Sequence, residues 1–435
     1  MPLVLFSLLL VSFLGAGGCF WRMIHGRIPK ETWELYCTTI YGITLGEIYF
    51  WLGNSIRHSV WFILLLGCIF WILYFKRLVG PLRWSWKLTG LIILLAFPAA
   101  KIIFEPLSAW DARSIWYFHA KILYVDNGFN SSSWIIPELS FSHVDYPKLN
   151  AILASQIASL IGYWNDYWPK LSLLVLLSVY QLGVAALPFK VGTSLLISLM
   201  GIATGGYFLW TGYMDGYLAL FTLLSALFLA LSLQRIQSRY YLPGLASLAI
   251  VIQLKYEGII IAPILFGLFL CFYWMGKEKR RLSITDWVIL FPFVPTAIWY
   301  FIRFHFKINN DMAERFDWST LGDRLFSFSY WSDFGYYYLF RTDLRYGLPL
   351  FLIWVLAYTK KSRKKLSPAF FFVISAFATY SASLFVVFLC TYWDPSTHMN
   401  CSIDRLAFSL VALLIAAGTI APIRYPLPNG PRTIR

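Results

Sequence analysis

Charge is scarce in this chain. Only 13% of its 435 residues are Asp, Glu, Lys or Arg, and 21 of them are acids. Beside 59% hydrophobic and 19% aromatic residues, so few charges cannot give a globule the polar exterior that water requires. Cysteine is scarce too. The six present lie mostly in apolar runs, without paired spacing or a C-x2-C pattern, which excludes a disulfide framework and a structural zinc site and leaves small core residues as the reading. No polar stretch is long enough for a soluble domain of ordinary size, and no internal repeat is evident. The first apolar run has no basic residue ahead of it, as a cleaved signal peptide would; Arg22, Arg27 and Lys30 follow it instead, so it is expected to be a retained span.

What is abundant is runs of roughly 17–25 mostly apolar residues, the length that crosses a hydrocarbon core of about 30 Å. They predict an all-α, polytopic transmembrane protein of about 13 spans, within a range of about 12–14. The runs lie near 3–21, 37–54, 59–75, 86–104, 169–189, 192–210, 214–233, 240–254, 258–275, 285–302, 346–359, 368–391 and 405–422. Five regions follow: amino-terminal spans in 1–104, a long loop 105–168 with interfacial helices, central spans in 169–302, a second long loop 303–345, and final spans with a tail in 346–435.

Lys and Arg in short loops stay on the cytoplasmic side. Alternate short loops and the tail collect 22 of the 36 basic residues, whereas 16 of the 21 acids fall in the opposite loops or at span ends facing them. The short basic loops are therefore expected in the cytoplasm, the amino terminus and both long loops outside. The net charge of +15 then reports membrane orientation and attraction to anionic lipid heads; nucleic-acid binding is not invoked.

Polar features on the expected outer face come from five places: "AWDARSIWYFHAKILY" (109–124), "SFSHVDYPKLNAILASQIASL" (140–160), "TGYMDGYLALF" (211–221), "LKYEGIII" (254–261), and the loop 303–345 with "YWDPSTHMNCSIDRLAF" (392–408). A charge at mid-membrane is unfavourable by about 2.5–3.5 kcal/mol on insertion scales, so such groups line cavities or pair. Within the first stretch, Asp111, Ile115, Phe118, Ile122 and Val125 share one helical face and Arg113, Tyr117, Lys121 and Tyr124 another, which predicts an interfacial helix. Residues 148–160 are expected to form a second, apolar interfacial helix. Ser108-x-x-Asp111 also fits a capping box, so helix capping is one reading of Asp111.

Trp110-Asp111-Ala112, then His143-Val144-Asp145-Tyr146-Pro147, then Gly212-Tyr213-Met214-Asp215 at the start of a span, then Lys255-Tyr256-Glu257-Gly258 between spans occur in that order. In this order the chain resembles the GT-C superfamily of polytopic membrane glycosyltransferases, in particular the bacterial branch related to protein O-mannosyltransferases and aminoarabinose transferases. The likeness covers about residues 100–260 in motif order and the remainder only in hydropathy. It implies a polyprenyl-phosphate sugar donor, a glycan, lipid or protein acceptor, and a bacterial inner membrane with the site facing the periplasm. No cofactor is implied. The loop opens with a single acid, and a metal site of paired carboxylates is not supported.

The residue inventory suits that chemistry. An acceptor hydroxyl must lose a proton as it attacks the anomeric carbon, a task for Asp111. The leaving phosphate needs fixed cations, for which Lys255, Arg405 and Lys121 are candidates in that order. Direct displacement would invert the anomeric configuration. His143, Asp145, Tyr146, Asp215 and Glu257 are candidate substrate-binding residues. Each has a plainer reading: Asp145-Tyr146-Pro147 ends a loop, Asp215 caps its span, Lys255 and Glu257 pair across a turn, and Arg405 snorkels. His119 and His305 are expected to be structural, and "YWSDFGYYY" (330–338) an interfacial belt with faces also suited to sugars. The other readings are a flippase or transporter of lipid-linked glycan, which would show paired halves and mid-span charges, and an O-antigen ligase or polymerase, which would favour arginine-rich outer loops.

Overall fold

The computed structural model describes residues 1–78, 85–234, 238–275, 284–308, 317–362, 366–391 and 394–422. Among them the chain is helical throughout, with no strand. Its principal helices are α1 (Pro2–His25), α2 (Thr32–Gly53), α3 (Ile56–Leu78), α4 (Trp86–Phe104), α5 (Tyr117–Val125), α6 (Leu149–Ile161), α7 (Leu171–Ala186) and α8 (Val191–Gly205). They continue as α9 (Asp215–Leu233), α10 (Tyr241–Leu254), α11 (Glu257–Met275), α12 (Val294–Phe306), α13 (Phe328–Tyr336), α14 (Leu344–Ser362), α15 (Pro368–Leu389) and α16 (Pro395–Ile420). Every expected span falls on one of these helices. Among the described residues nine helices are long and apolar enough to cross a membrane: α1, α3, α4, α7, α9, α11, α12 with the turns before it, α15 and α16. Four others, α2, α8, α10 and α14, are not in this set, α8 and α10 having only 15 and 14 residues. The chain is a multi-pass, all-helical membrane protein.

Local signals place the helix ends. Pro2 opens α1, and Gly26 closes it in the left-handed region at φ 66°, its N–H reaching the Arg22 carbonyl. Glu31 and Glu34 form a capping box at α2, and Arg27 pairs with the Glu34 carboxylate. Ser367 and Asp394, each followed by Pro, cap α15 and α16 through the backbone N–H groups of Phe370 and Thr397. The crossing of α1 and α2 depends on two glycines. A Cβ at Gly17 would lie 1.7 Å from the Thr38 carbonyl oxygen, and one at Gly42 would lie 1.8 Å from that of Phe13. Small residues allow such backbone approach where apolar solvent gives helices little other reason to associate.

The centre is α9, enclosed by α7, α8, α10, α11, α15 and α16. In its apolar window 94% of residues are buried, against 17% in α4, whose Ile92, Ile93 and Phe97 face outward. An apolar helix exposed in this way suits lipid, not water.

The segment between α4 and α7 departs from the expected interfacial helices. α6 is buried almost along its whole length and packs on α1, α3, α5, α7 and α10. Its polar side chains have partners there: Gln156 donates to Ser59 at 3.0 Å, and Asn150 accepts from Ser172 at 2.8 Å. One hydrogen bond on each of these side chains lowers the cost of burying an otherwise apolar helix inside the bundle. The helix after Asp111 also has a different face from the one its spacing predicts. A π turn over Ala112–Trp116 inserts an extra residue and shifts the phase, so Trp116, Tyr117, His119, Ala120 and Leu123 point inward. Val125 is 68% exposed, and Tyr117, assigned to the cationic stripe, is buried and bonded to Ser172.

Candidate active site

Asp111 lies at the entry of that π turn, where the chain leaves α4 for the long loop. It does not cap the turn with its side chain. Its carboxylate instead pairs with the Arg405 guanidinium, from α16 and 294 positions away in sequence. Both side chains are 23% exposed, on the wall of a cavity of about 470 Å³. Tyr207, Phe208, Tyr213 and Phe408 give the cavity an aromatic wall; Arg341, Asp343 and Asp404 complete its charged lining, and the Tyr213 ring lies 5.5 Å below the Arg405 guanidinium. A space of this size, with aromatic surfaces and a few fixed charges, suits a polar organic ligand. Phe208 and Tyr213 precede α9, in a reversal where Gly212 takes φ 99° and a Cβ would meet that of Ala112 at 2.6 Å. Glycine at position 212 thus lets the α9 entrance sit directly against the Asp111 turn.

Behind the cavity is a second group of charges, sealed from solvent. Lys255, at the break between α10 and α11, lies 2.8 Å from an Asp215 oxygen and 3.0 Å from a Glu257 oxygen. Lys255 is 6% and Asp215 2% exposed. The Lys255 ammonium is therefore enclosed between two carboxylates. Asp215 stands in the first turn of α9, at a distance where Arg405 also influences it electrostatically, so the two groups of charge form one network.

The loop motif 143–148 is anchored beside it. His143 adopts the left-handed region at φ 50° and stacks on Tyr146 with ring centroids 5.2 Å apart; Tyr146 in turn meets Tyr256 edge-on at 4.9 Å. Asp145 is fully buried. Tyr256 donates its hydroxyl to the Asp145 carboxylate, Arg303 lies 3.6 Å from it, and the Trp299 indole N–H donates to the Asp145 carbonyl at 3.2 Å. Lys148 points into the same wall, donating to the Val144 carbonyl at 2.8 Å and meeting His119 Nδ1 at 3.1 Å, with its ammonium over the Trp134 and Trp299 rings at 4.3 and 4.7 Å. Burial, with the Lys148 ammonium beside it, holds the His119 imidazole well below its ordinary value; burial also lowers Lys148, opposed by the Asp145 carboxylate. A neutral His119 accepts from Lys148 at Nδ1 and presents its Nε2–H to Ser142, 3.3 Å away.

The structure thus brings together Asp111, Asp145, Tyr146, Asp215, Lys255, Glu257 and Arg405, with His143 against Tyr146. Lys121 is outside the group, exposed on α5. Residues 330–338 do not line the cavity; there Trp331 stacks on Phe385 of α15 at 4.3 Å. Several contributors carry signals that motif order overlooks. Arg303 and Lys148 are basic residues at helix ends, and Arg341 and Asp343 sit in the aromatic and charged loop 303–345, where neither residue is singled out by a motif. Glu47 is an acid within an apolar helix; it is 2% exposed and borders a space of about 10 Å³ shared with Lys148, Gln253 and Trp299. Among the described residues no three His, Cys, Asp or Glu side chains are grouped to hold a metal ion. Compared with models of known families, with curated proteins and with solved structures, the chain matches none.

Proposed function

We propose that this protein transfers a sugar from a polyprenyl-phosphate donor to an acceptor hydroxyl, with inversion, as a glycosyltransferase of the GT-C kind. The observation that carries the reading is the Asp111–Arg405 pair on the wall of the 470 Å³ cavity: a carboxylate and a guanidinium, both partly open to one aromatic-lined space. The acceptor oxygen attacks the anomeric carbon, its proton passes to the Asp111 carboxylate, and the bond from that carbon to the phosphate oxygen breaks with the electron pair leaving on the phosphate. Arg405 meets that growing negative charge. Of the three cations expected at the phosphate, Arg405 alone lines the cavity, and Lys255 serves to hold Asp215 and Glu257 at the wall behind it.

In this reading the thirteen helices that coincide with apolar runs are thirteen spans, the short basic loops are cytoplasmic, and the cavity opens on the periplasmic side of a bacterial inner membrane. The tyrosines and phenylalanines of the wall supply faces for the sugar ring. The acceptor is a glycan, a lipid or a protein. The test is transfer by purified protein in lipid nanodiscs, supplied with a panel of polyprenyl-phosphate sugars and membrane-extract acceptors. Asp111→Asn is expected to lower the rate by about 10²–10⁴-fold, the range of a lost general base. Full activity in that variant, or tags showing residues 105–168 in the cytoplasm, would overturn the assignment.

A flippase for lipid-linked glycans is the competing reading, and Glu47, buried within α2, is the observation that favours it. The same nanodisc assay separates the two, because a flippase moves the lipid with its sugar still attached.

A further inference from the structure

Among the described residues two π turns occur, Ala112–Trp116 and Tyr337–Arg341. They are far apart in sequence, yet both end at the cavity: Asp111 immediately precedes the first and Arg341 is the last residue of the second. π turns concentrate at functional sites because the extra residue aims a side chain where a regular helix would not. Arg341 is aimed at α16, where its guanidinium donates to the Asn400 side-chain oxygen at 2.9 Å. Asn400, Cys401, Asp404, Arg405 and Phe408 are consecutive contributors along one flank of α16, and the last four line the cavity with Arg341. Each guanidinium on the wall therefore has a replaceable partner: Asp111 for Arg405, a neutral amide for Arg341.

We propose that Arg341 and Arg405 together form a two-guanidinium clamp for a phosphate group, with Arg341 a phosphate-binding residue of the cavity. The proposal rests on the glycosyltransferase reading only for the name of the lipid that carries the phosphate. A guanidinium offers paired N–H donors in a planar fork, which matches phosphate oxygens better than an ammonium does. The wall carries Asp111, Asp343 and Asp404 against Arg341 and Arg405, and Arg345, beside Asp404 but outside the lining, offsets the third acid. An entering phosphate takes Arg405 from Asp111 and Arg341 from Asn400, so that binding exposes the Asp111 carboxylate at the moment a substrate is present.

Cys401 provides a readout independent of catalysis, being exposed on the cavity wall that also carries both arginines. Its alkylation by a charged thiol reagent is followed by mass spectrometry of its own peptide, in full-length protein titrated with polyprenyl phosphate, the matching polyprenol, or inorganic phosphate. Polyprenyl phosphate is expected to protect Cys401. Arg341→Gln and Arg405→Gln should each raise the protecting concentration tenfold or more, and Arg341→Lys, which keeps the charge but loses the fork, should fall between. Lys190→Gln, exposed at the amino end of α8 and outside the cavity lining, should leave it unchanged. Protection by inorganic phosphate at similar concentrations makes the clamp a site for free anions; protection by the lipid phosphate alone makes it a lipid headgroup site. Equal protection by the polyprenol, or an Arg341→Gln midpoint equal to that of the parent, overturns the clamp. Protection that depends on both arginines, in a protein that transfers no sugar from any donor, leaves the clamp standing and removes the glycosyltransferase reading.

Discussion

Two sets of acids and bases lie side by side in this protein and differ mainly in access to solvent. Asp215, Lys255 and Glu257 are shut in the bundle, a single ammonium between two carboxylates. Asp111 and Arg405 have the same chemistry but stand at 23% exposure on a cavity of about 470 Å³. Removing one partner from a buried pair leaves a charge with neither water nor counterion, whereas a half-open pair can exchange its partner for water or a ligand. The sealed set is thus suited to holding α9, α10 and α11 in register, and the open set to chemistry.

The largest effect that would sharpen this contrast is on stability. Lys255→Met leaves two buried carboxylates facing one another and is expected to destabilise the fold by about 3–5 kcal/mol, read as a large fall in the thermal midpoint of detergent-solubilised protein. A midpoint close to the parent's would mean that the trio is not structural. Asp111→Asn should do the converse, keeping the folding stability within about 1 kcal/mol of the parent's while transfer is lost, because a pair open to solvent contributes little to folding. If it unfolds the protein as Lys255→Met does, the distinction between the two sets collapses.

A smaller effect concerns pH. His119 is buried neutral with its folded pKa depressed, so the unfolded chain takes up a proton near the ordinary value of 6.5 while the folded chain does not. Its contribution to stability is therefore complete above about pH 6.5 and is lost as pH falls below that, toward the folded value. Thermal midpoints of the parent measured from pH 7.5 to 5 should decline on that side, and His119→Gln should flatten the decline; an unchanged slope in the variant would show that protonation of His119 does not cause it. Lys121→Gln, at an exposed position outside the network, is expected to alter neither stability nor transfer by a measurable amount, and any loss of donor binding would bring α5 back to the site.

Much of the helical layout was legible from apolar run length alone, since each run of spanning length has to satisfy its own backbone and does so as a helix. The convergence of Asp111, Asp145, Asp215, Lys255 and Arg405 was also anticipated, from acids gathered at one set of span ends. The details that failed share a cause. A uniform 3.6 residues per turn gives the wrong helical phase after Asp111, because one π turn rotates His119 and Trp116 inward. Shortness and apolarity alone suggest an interface for the helix at 149–161, but Ser59 and Ser172 on other helices each give one hydrogen bond to Gln156 and Asn150 and help it to be buried. Nothing local distinguishes Arg341, Lys148 and Arg303, which meet an amide oxygen, indole faces and a carboxylate, from basic residues that meet water.

The amino-acid sequence by itself determined that this chain is helical and lives in a membrane, because hydrophobic length and the scarcity of charge act through solvent and need no tertiary partner. Which charges are sealed and which are open was decided only by the tertiary structure. Lys255 looks like a phosphate ligand until Asp215 arrives from 40 positions away, and Asp111 looks like a helix cap until Arg405 arrives from 294. Electrostatic character depends on distance and desolvation, and neither exists until the helices pack.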